Sequence, residues 1–164
     1  MSKIVDVVRA LGYRPWFLAG LRRLVWFDRW MRRRTTGRLS PIGNVVLPTL
    51  LIVTQGRKTG RPRSQPLAYV LDGADFVVAG SNWGQPRHPG WSANLLAHPD
   101  ATVVLDGRSV PVRARLVNGS ERAALWGRLE EVWPAFATYE QRAAGRKIRL
   151  FRLVPQMTTN NAPE

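Results

Sequence analysis

The chain has 164 residues, of which 25 are Lys or Arg and 11 are Asp or Glu, so its formal net charge is +14. This length fits one domain with a single substantial core. Because the sequence contains no cysteine, disulfides, iron–sulfur clusters and thiolate zinc sites are excluded. The charge favours anionic partners such as phosphates, acidic lipids or an acidic cofactor. It is nearly all arginine, and that bias alone does not indicate nucleic acid.

Residues 1–44 predict an amphipathic helix followed by a linker from Thr35 to Asn44. Between Pro15 and Arg34 the apolar residues recur at helical spacing, and arginines gather on the opposite face. Charged residues interrupt the apolar run, so neither a signal peptide nor a membrane span is predicted. An apolar face opposite a face of arginines, over residues 15–34, is typical of a helix lying on an anionic membrane surface. The same pattern also fits a helix packed on its own domain or on a partner subunit. We therefore expect a cytoplasmic protein, with peripheral association at the inner face of the cell membrane as one reading of the helix.

Residues 45–155 predict a domain made mostly of strands, and residues 156–164 a flexible C-terminal tail. A continuous apolar run from Leu50 to Val53 indicates a buried strand, and Asp106-Gly107 indicates a tight hairpin. The segment around Pro111 alternates apolar and polar residues, and the proline favours a sheet edge or bulge. The predicted strands are 50–53, 64–71, 76–81, 101–105, 109–117 and 147–154.

Two helices are expected to interrupt this sheet. They cover Pro89 to Ala97 and Ser120 to Trp133, with Ser120 as the N-cap of the second. Strands that are mostly antiparallel, with helices packed at the ends, indicate the α+β class and a closed or nearly closed β-barrel.

The most distinctive stretch is the loop from Gly56 to Arg63, which places four cationic side chains within eight residues. Arginine binds phosphates and carboxylates in bidentate geometry, so the loop predicts an anion site. A glycine-rich basic hairpin loop can also be only a solvated turn. It is not a nucleoside-triphosphate loop, because Lys58 precedes the second glycine, and Pro62 and Pro66 forbid the helix that such a loop opens.

Three motifs in order, GRKTGRPR, VVAGSNWGQPRHPGWSANLLAHP and VWPAFATY, resemble the deazaflavin-dependent nitroreductase and quinone reductase family. The resemblance covers about residues 50–155. It implies a split β-barrel related to flavin reductases and an oxidoreductase that transfers hydride from reduced coenzyme F420 to a quinone, enone or nitro compound. The phosphate and the oligoglutamate tail of this cofactor match the cationic loop.

The same resemblance assigns roles to individual residues. The phosphate and tail would be held by Arg57, Lys58, Thr59, Gly60 and Arg63. The deazaflavin ring would lie beside Ala79, Gly80, Ser81 and Asn82, with Pro66, Pro89, Trp91 and Asn94 completing the cofactor site. Catalytic roles would fall to Ser81 and Tyr139, and the acceptor would contact Trp133, Phe136, Tyr139 and Ala68. Where the nitroreductase members have three tyrosines, this chain has Trp133, Phe136 and Tyr139, and those rings can equally pack as core.

Several alternatives stay open from the residues themselves. Flavin mononucleotide could use the same barrel and loop, and the protein could bind a cofactor or lipid without catalysis. Seven tryptophans on a basic chain could suit single-stranded nucleic acid, but the cations cluster in one loop and one helix, which argues against it. His88 and His98 lack acidic or sulfur ligands nearby in sequence, so no metal site is predicted. The chain is expected to be a monomer or homodimer.

Overall fold

The computed structural model describes residues 47–156, and this part of the chain forms a closed, six-stranded antiparallel barrel. The strands are β1 (Thr49–Gln55), β2 (Pro62–Asp72), β3 (Asp75–Ala79), β4 (Asp100–Leu105), β5 (Arg108–Val117) and β6 (Leu150–Pro155). Around the barrel their order is β1-β2-β3-β6-β5-β4, so the last strand lies between the third and the fifth. The predicted α+β barrel is confirmed. The helix and linker predicted within residues 1–44, and the tail beyond Gln156, lie outside the described residues.

The period-two alternation of the strands divides the core in two. In β3, for example, Val78 points into the barrel and Val77 points outward. In β6, Phe151 points into the barrel and Leu150 points outward. The inner cluster fills the barrel, and the outer cluster lies under the second and third helices. Both clusters consist of buried apolar side chains, and their burial supplies the main stabilising free energy of the domain.

In the described part of the chain, three α-helices pack on this barrel: α1 (Gly90–Ala97), α2 (Gly119–Val132) and α3 (Phe136–Arg142). Trp91 and Leu95 of α1 enter the inner cluster, so this helix contributes to the barrel interior. The predicted N-cap of α2 was wrong, because the helix begins at Gly119 with Asn118 in the extended N-cap position. Within residues 47–156, no helix is long and apolar enough to cross a membrane.

The strand boundaries moved in two places that matter for the site. The third strand ends at Ala79, not at Ser81, because the chain turns sharply after Gly80. The last strand begins at Leu150, three residues later than predicted, because the segment before it leaves helix α3 through the turn residues Ala144 and Gly145, which both have positive φ.

Pro111 does not mark a sheet edge, since the barrel is closed and the residue pairs with Thr102 of β4. Strand β6 pairs with β5 from Val112 onward, and the carbonyl of Pro111 accepts a hydrogen bond from the backbone N–H of Gln156 at 2.9 Å. The proline therefore lies one position past the end of the β5–β6 pairing, on the side where its missing N–H disrupts no ladder hydrogen bond.

A charge cluster ties the outside of the barrel to α2. The guanidinium of Arg152 in β6 contacts Asp72 at 2.5 Å, Asp75 at 2.9 Å and Glu121 of α2 at 2.9 Å. Hydrogen bonds from Arg152 and then Arg128 lower the pKa of Asp72. One arginine thereby joins the β2–β3 hairpin, the last strand and a helix.

Candidate cofactor and acceptor site

The basic loop is a compact turn at one end of the β1–β2 hairpin. The backbone N–H of Gly56 donates to the carbonyl of Arg61 at 2.9 Å, while the N–H groups of Thr59 and Gly60 donate to the carbonyl of Gly56. A methyl group on Gly56 would lie 3.0 Å from Arg61 O and from the Thr59 hydroxyl, and Gly60 has φ +65°. The two glycines are therefore needed for the turn itself.

The side chains of this loop are free to bind an anion. Arg57, Lys58, Arg61 and Arg63 are all exposed, and among residues 47–156 none of them has a carboxylate within ion-pair distance. Most of the backbone N–H groups of the loop are already bonded within it. The predicted anion site is therefore one of side chains, and Thr59, whose hydroxyl accepts a 3.4 Å hydrogen bond from Arg61 N, belongs to the turn.

Asn94 connects the loop to helix α1. Its Oδ1 accepts from the backbone N–H of Arg57 at 3.2 Å, and its Nδ2 donates to the Thr54 hydroxyl at 3.1 Å. Both Asn94 and Thr54 are buried. The amide of Asn94 thus fixes the position of the loop.

The other end of α1 packs on the end of strand β3. A methyl group on Gly80 would lie 3.5 Å from Pro89 and Ser92 of the helix start and 3.4 Å from the carbonyl of Arg149. The N–H of Gly80 is occupied, since it donates to that carbonyl at 2.8 Å. The predicted segments 56–63, 79–82 and 89–94 are therefore brought together by one short helix.

After Gly80 the backbone forms a left-handed turn. Ser81 is right-handed, but Asn82, Trp83 and Gly84 have φ of 49°, 58° and 72°. This change of hand turns successive N–H groups toward one point and forms an anion-binding nest. In the described part of the chain, the N–H groups of Ser81, Asn82 and Trp83 have no acceptor. A strand end with three free donors is suited to bind an electron-rich carbonyl edge.

Arg146 lies behind this turn and was missed by the sequence analysis. Its guanidinium donates to the carbonyls of Gly80 at 3.1 Å, Ser81 at 2.7 Å and Gln85 at 2.9 and 3.1 Å. Its Nη1 also lies 3.3 Å from Nδ1 of His88. Burial, reinforced by Arg149 and Arg146, lowers the pKa of His88, so its neutral ring accepts this hydrogen bond. No local pattern marks Arg146, because its partners are about sixty residues earlier.

The remaining predicted cofactor residues occupy different environments. Pro89 is the half-buried N-cap of α1, and its carbonyl accepts from Ser92 N and Oγ. Trp91 is buried against Phe151, with ring centroids 5.7 Å apart, and this burial supports its alternative role in the core.

Pro66 and Ala68 are half-buried residues of β2. They alternate with Leu67 and Tyr69, which pack against the inner cluster, so both lie on the outer face of the barrel. They are therefore separated from the barrel interior, and their predicted contact with the cofactor or acceptor would have to come from outside the sheet.

The three aromatic residues predicted to contact the acceptor are buried in the outer core. Trp133, Phe136 and Tyr139 are each at most 4% exposed, and Nε1 of Trp133 donates to the hydroxyl of Tyr139 at 3.1 Å. Trp83 packs edge-on against Tyr139, with centroids 6.4 Å apart. These contacts support the interpretation that the three rings pack as core, with α3 packed against the left-handed turn through Tyr139 and Trp83.

Residues 22–155 match the model of the F420H(2)-dependent quinone reductase family. The chain belongs to this family. The predicted family, cofactor and enzyme class are thereby confirmed: this is an oxidoreductase that uses coenzyme F420.

Relatives within the family support the same assignment. The F420H(2)-dependent quinone reductase Rv1261c of Mycobacterium tuberculosis is 36% identical over 96 residues, which are 57% of this chain and 64% of the relative. Rv3178 of the same organism, provisionally named for the same activity, is 36% identical over 90 residues, or 55% of this chain and 76% of the relative. A solved F420-H2 dependent reductase, FDR-A, is 32% identical with a TM-score of 0.60, over 65% of this chain and 93% of its own.

The residues of this quinone reductase family member fit the cofactor. A phosphate and a polyglutamate tail require several cations, and the loop offers four that lack carboxylate partners in the described region. A deazaflavin ring requires hydrogen-bond donors at its carbonyl edge, and the nest at Ser81 offers three. Both features arise from this chain's own backbone and side chains.

Proposed function

We propose that this chain binds reduced F420 between its basic loop and the strand-end nest and reduces a quinone. When bound, the cofactor supplies a hydride from C5 of its ring. The observation that carries the proposal is that one helix lies against both features. Asn94 of α1 bonds the N–H of Arg57, and Ser92 of α1 lies 3.5 Å from the position of a methyl group added to Gly80. A ligand with an anionic tail and a polar ring matches that arrangement.

At the tail end, Arg57, Lys58 and Arg63 would hold the phosphate and the glutamates. Exposed guanidinium and ammonium groups lose some hydration when they bind an oxyanion, but the charge-assisted hydrogen bonds more than offset that cost. Because Asn94 and the internal hydrogen bonds order the loop, little conformational entropy is lost on binding. This end would supply affinity and no chemistry.

At the ring end, the N–H groups of Ser81, Asn82 and Trp83, which have no acceptor within residues 47–156, would bind the ring edge. The hydroxyl of Ser81 has no partner among the described residues, so it is available to donate to a developing oxyanion on the acceptor or to the ring. Fixed donors aimed at a position where negative charge grows lower the barrier without reorganising. Ser81 is therefore our candidate catalytic residue.

The test is a pair of titrations with oxidised F420 and flavin mononucleotide, followed by fluorescence. We expect F420 to bind more tightly, because its glutamate tail adds carboxylates that flavin mononucleotide lacks, and we expect high salt to weaken F420 more strongly. Equal or tighter binding of flavin mononucleotide would overturn the assignment in favour of a flavin reductase.

We further propose that residues 15–34 bring the enzyme to anionic membranes from the cytoplasm, where lipid-soluble quinones are found. The apolar stripe and basic back of that segment support this. Co-sedimentation of the full chain with acidic and with neutral vesicles is the test, and equal recovery with both would overturn it. A homologous structure, 30% identical with a TM-score of 0.61 over 77% of this chain and 96% of its own, is a domain-swapped dimer, so homodimerisation is part of the proposal.

A further inference from the structure

The left-handed turn at Asn82–Gly84 has an energetic cost that the local sequence does not explain. Glycine and asparagine adopt left-handed backbone readily, but for a bulky residue such as Trp83 it costs roughly 1 kcal/mol or more. Two hydrogen bonds close the turn, from Gly84 N to Ser81 O and from Gln85 N to Asn82 O, both at 3.0 Å. Such strain persists only where the surroundings hold it.

The surroundings hold it from two sides. On one side, Gly84 packs closely on α3, since a methyl group added to Gly84 would lie 2.9 Å from Cβ of Arg142 and 3.1 Å from the carbonyl oxygen of Tyr139. On the other side, the guanidinium of Arg146 donates to the carbonyls of Ser81 and Gln85, at the two ends of the turn, and to the carbonyl of Gly80. In a trans peptide the C=O and the N–H point in opposite directions, so the bonds from Arg146 to the carbonyls of Gly80 and Ser81 turn the N–H groups of Ser81 and Asn82 away from the guanidinium.

Arginine is suited to this task for a geometric reason. Its planar guanidinium carries five N–H donors, and the contacts of Arg146 to three carbonyls and to His88 use all three nitrogens. A lysine ammonium has three donors and no plane, so it cannot reproduce them. In the described region no carboxylate lies within ion-pair distance of Arg146, so its N–H donors serve the backbone carbonyls and His88.

We propose that Arg146 is the positioning residue of the cofactor site: it holds the strained turn so that the N–H groups of Ser81, Asn82 and Trp83 form a preorganised nest for the ring edge. The inference rests on the proposed function, because it assigns that nest to the deazaflavin ring. In this role Arg146 acts through the backbone carbonyls that it binds.

The first measurement needs no cofactor. Hydrogen exchange of the full chain is compared for wild type, Arg146→Ala, Arg146→Lys and Lys147→Ala, the last removing a charge from the adjacent exposed position. We expect both Arg146 variants to exchange the amides of Gly84 and Gln85 at least roughly tenfold faster, with strand β1 unchanged. Protection of these amides equal to that of Lys147→Ala would overturn the proposal.

The second measurement uses oxidised F420. We expect Arg146→Ala and Arg146→Lys to bind it at least roughly tenfold more weakly than wild type, whereas Lys147→Ala binds it normally. Methylguanidinium at a concentration far below denaturing should restore affinity to Arg146→Ala and leave Arg146→Lys unchanged. Full affinity for F420 in either Arg146 variant would overturn the role of Arg146. Failure of the wild-type protein to bind F420 would instead overturn the proposed function, and the hydrogen-exchange result alone would then decide whether Arg146 holds the turn.

Discussion

Oδ1 of Asn94 accepts a 3.2 Å hydrogen bond from the backbone N–H of Arg57, across 37 residues of sequence. The resemblance to the family had placed Asn94 against the cofactor. In the structure both polar atoms of its amide are used inside the protein, one on the loop and one on Thr54. We therefore expect Asn94 to contribute to binding only indirectly, by holding the loop that carries the cations.

Asn94→Ala should destabilise the protein by about 1 to 3 kcal/mol, because it leaves buried polar partners unsatisfied, and it should also weaken F420 binding. Thr54→Val is the matched control, since it removes the same buried hydroxyl–amide bond and keeps the bond to Arg57. We expect Thr54→Val to lose stability with much less loss of F420 affinity. Chemical denaturation and fluorescence titration measure the two effects, and full affinity in Asn94→Ala would show that the loop needs no anchor.

Lys58→Ala should weaken F420 binding by about 1 to 3 kcal/mol, roughly 5- to 150-fold in Kd, and leave stability unchanged. Lys58 is exposed and unpaired within residues 47–156, so the fold does not depend on it. The control is Arg108→Ala, which removes an exposed charge at the opposite end of the β1–β4 pairing. Equal affinities of the two variants would sink the assignment of Lys58.

Tyr139→Phe should lower the free energy of unfolding by about 1 to 3 kcal/mol, since it leaves the buried N–H of Trp133 without an acceptor. Turnover of menadione per folded molecule should stay near wild type. Thermal denaturation and steady-state rates separate the two effects. A large fall in kcat with unchanged stability would instead support the catalytic role that the resemblance implied for Tyr139.

Planar quinones should be reduced faster than nitro-heterocycles. Because Trp133, Phe136 and Tyr139 are buried in the outer core, we expect none of them to donate a hydrogen bond to the acceptor. A nitro group would then find fewer donors for its developing charge than it does in the tyrosine-bearing relatives. Steady-state rates with menadione and a nitroimidazole under the same reduced cofactor test this. Faster turnover of the nitroimidazole would contradict it.

Arg152→Met should lower the melting temperature by several degrees at pH 7, and the difference from wild type should narrow as the pH falls toward 3. The hydrogen bond from Arg152 is the main cause that lowers the pKa of Asp72. The pKa of Glu121 is lowered mainly by Arg115, and Arg152 adds to that effect. Carboxylates with lowered pKa stabilise the fold above their ordinary pKa of about 4, and this contribution is lost as the pH falls through the lowered value. Arg113→Met, at an exposed pair with Asp100, is the control and should change little. A difference that persists undiminished at pH 3 would contradict the ionic origin.

The barrel could be predicted from sequence because its signals are local. The alternation of apolar and polar residues through Val112 and Ala114 predicts the strand β5 without any knowledge of its neighbours in the barrel. In the same way, Asp106-Gly107 predicts the hairpin turn before it. The site was harder to predict, because its decisive contacts join distant segments. Arg146 meets carbonyls 61 to 66 residues earlier, and only the folded chain brings them together. The aromatic triplet was visible in sequence, but its burial depended on how α3 packs beneath Gly84.

The position of β6 between β3 and β5 has a consequence for synthesis of the protein. During translation, β1 to β5 leave the ribosome before residues 150–155 do, so the facing edges of β3 and β5 stay unpaired until the end of the domain emerges. Unpaired edges are templates for aggregation. A nascent chain stalled near residue 149 should therefore need a chaperone, and release of those last few residues should close the sheet in one step.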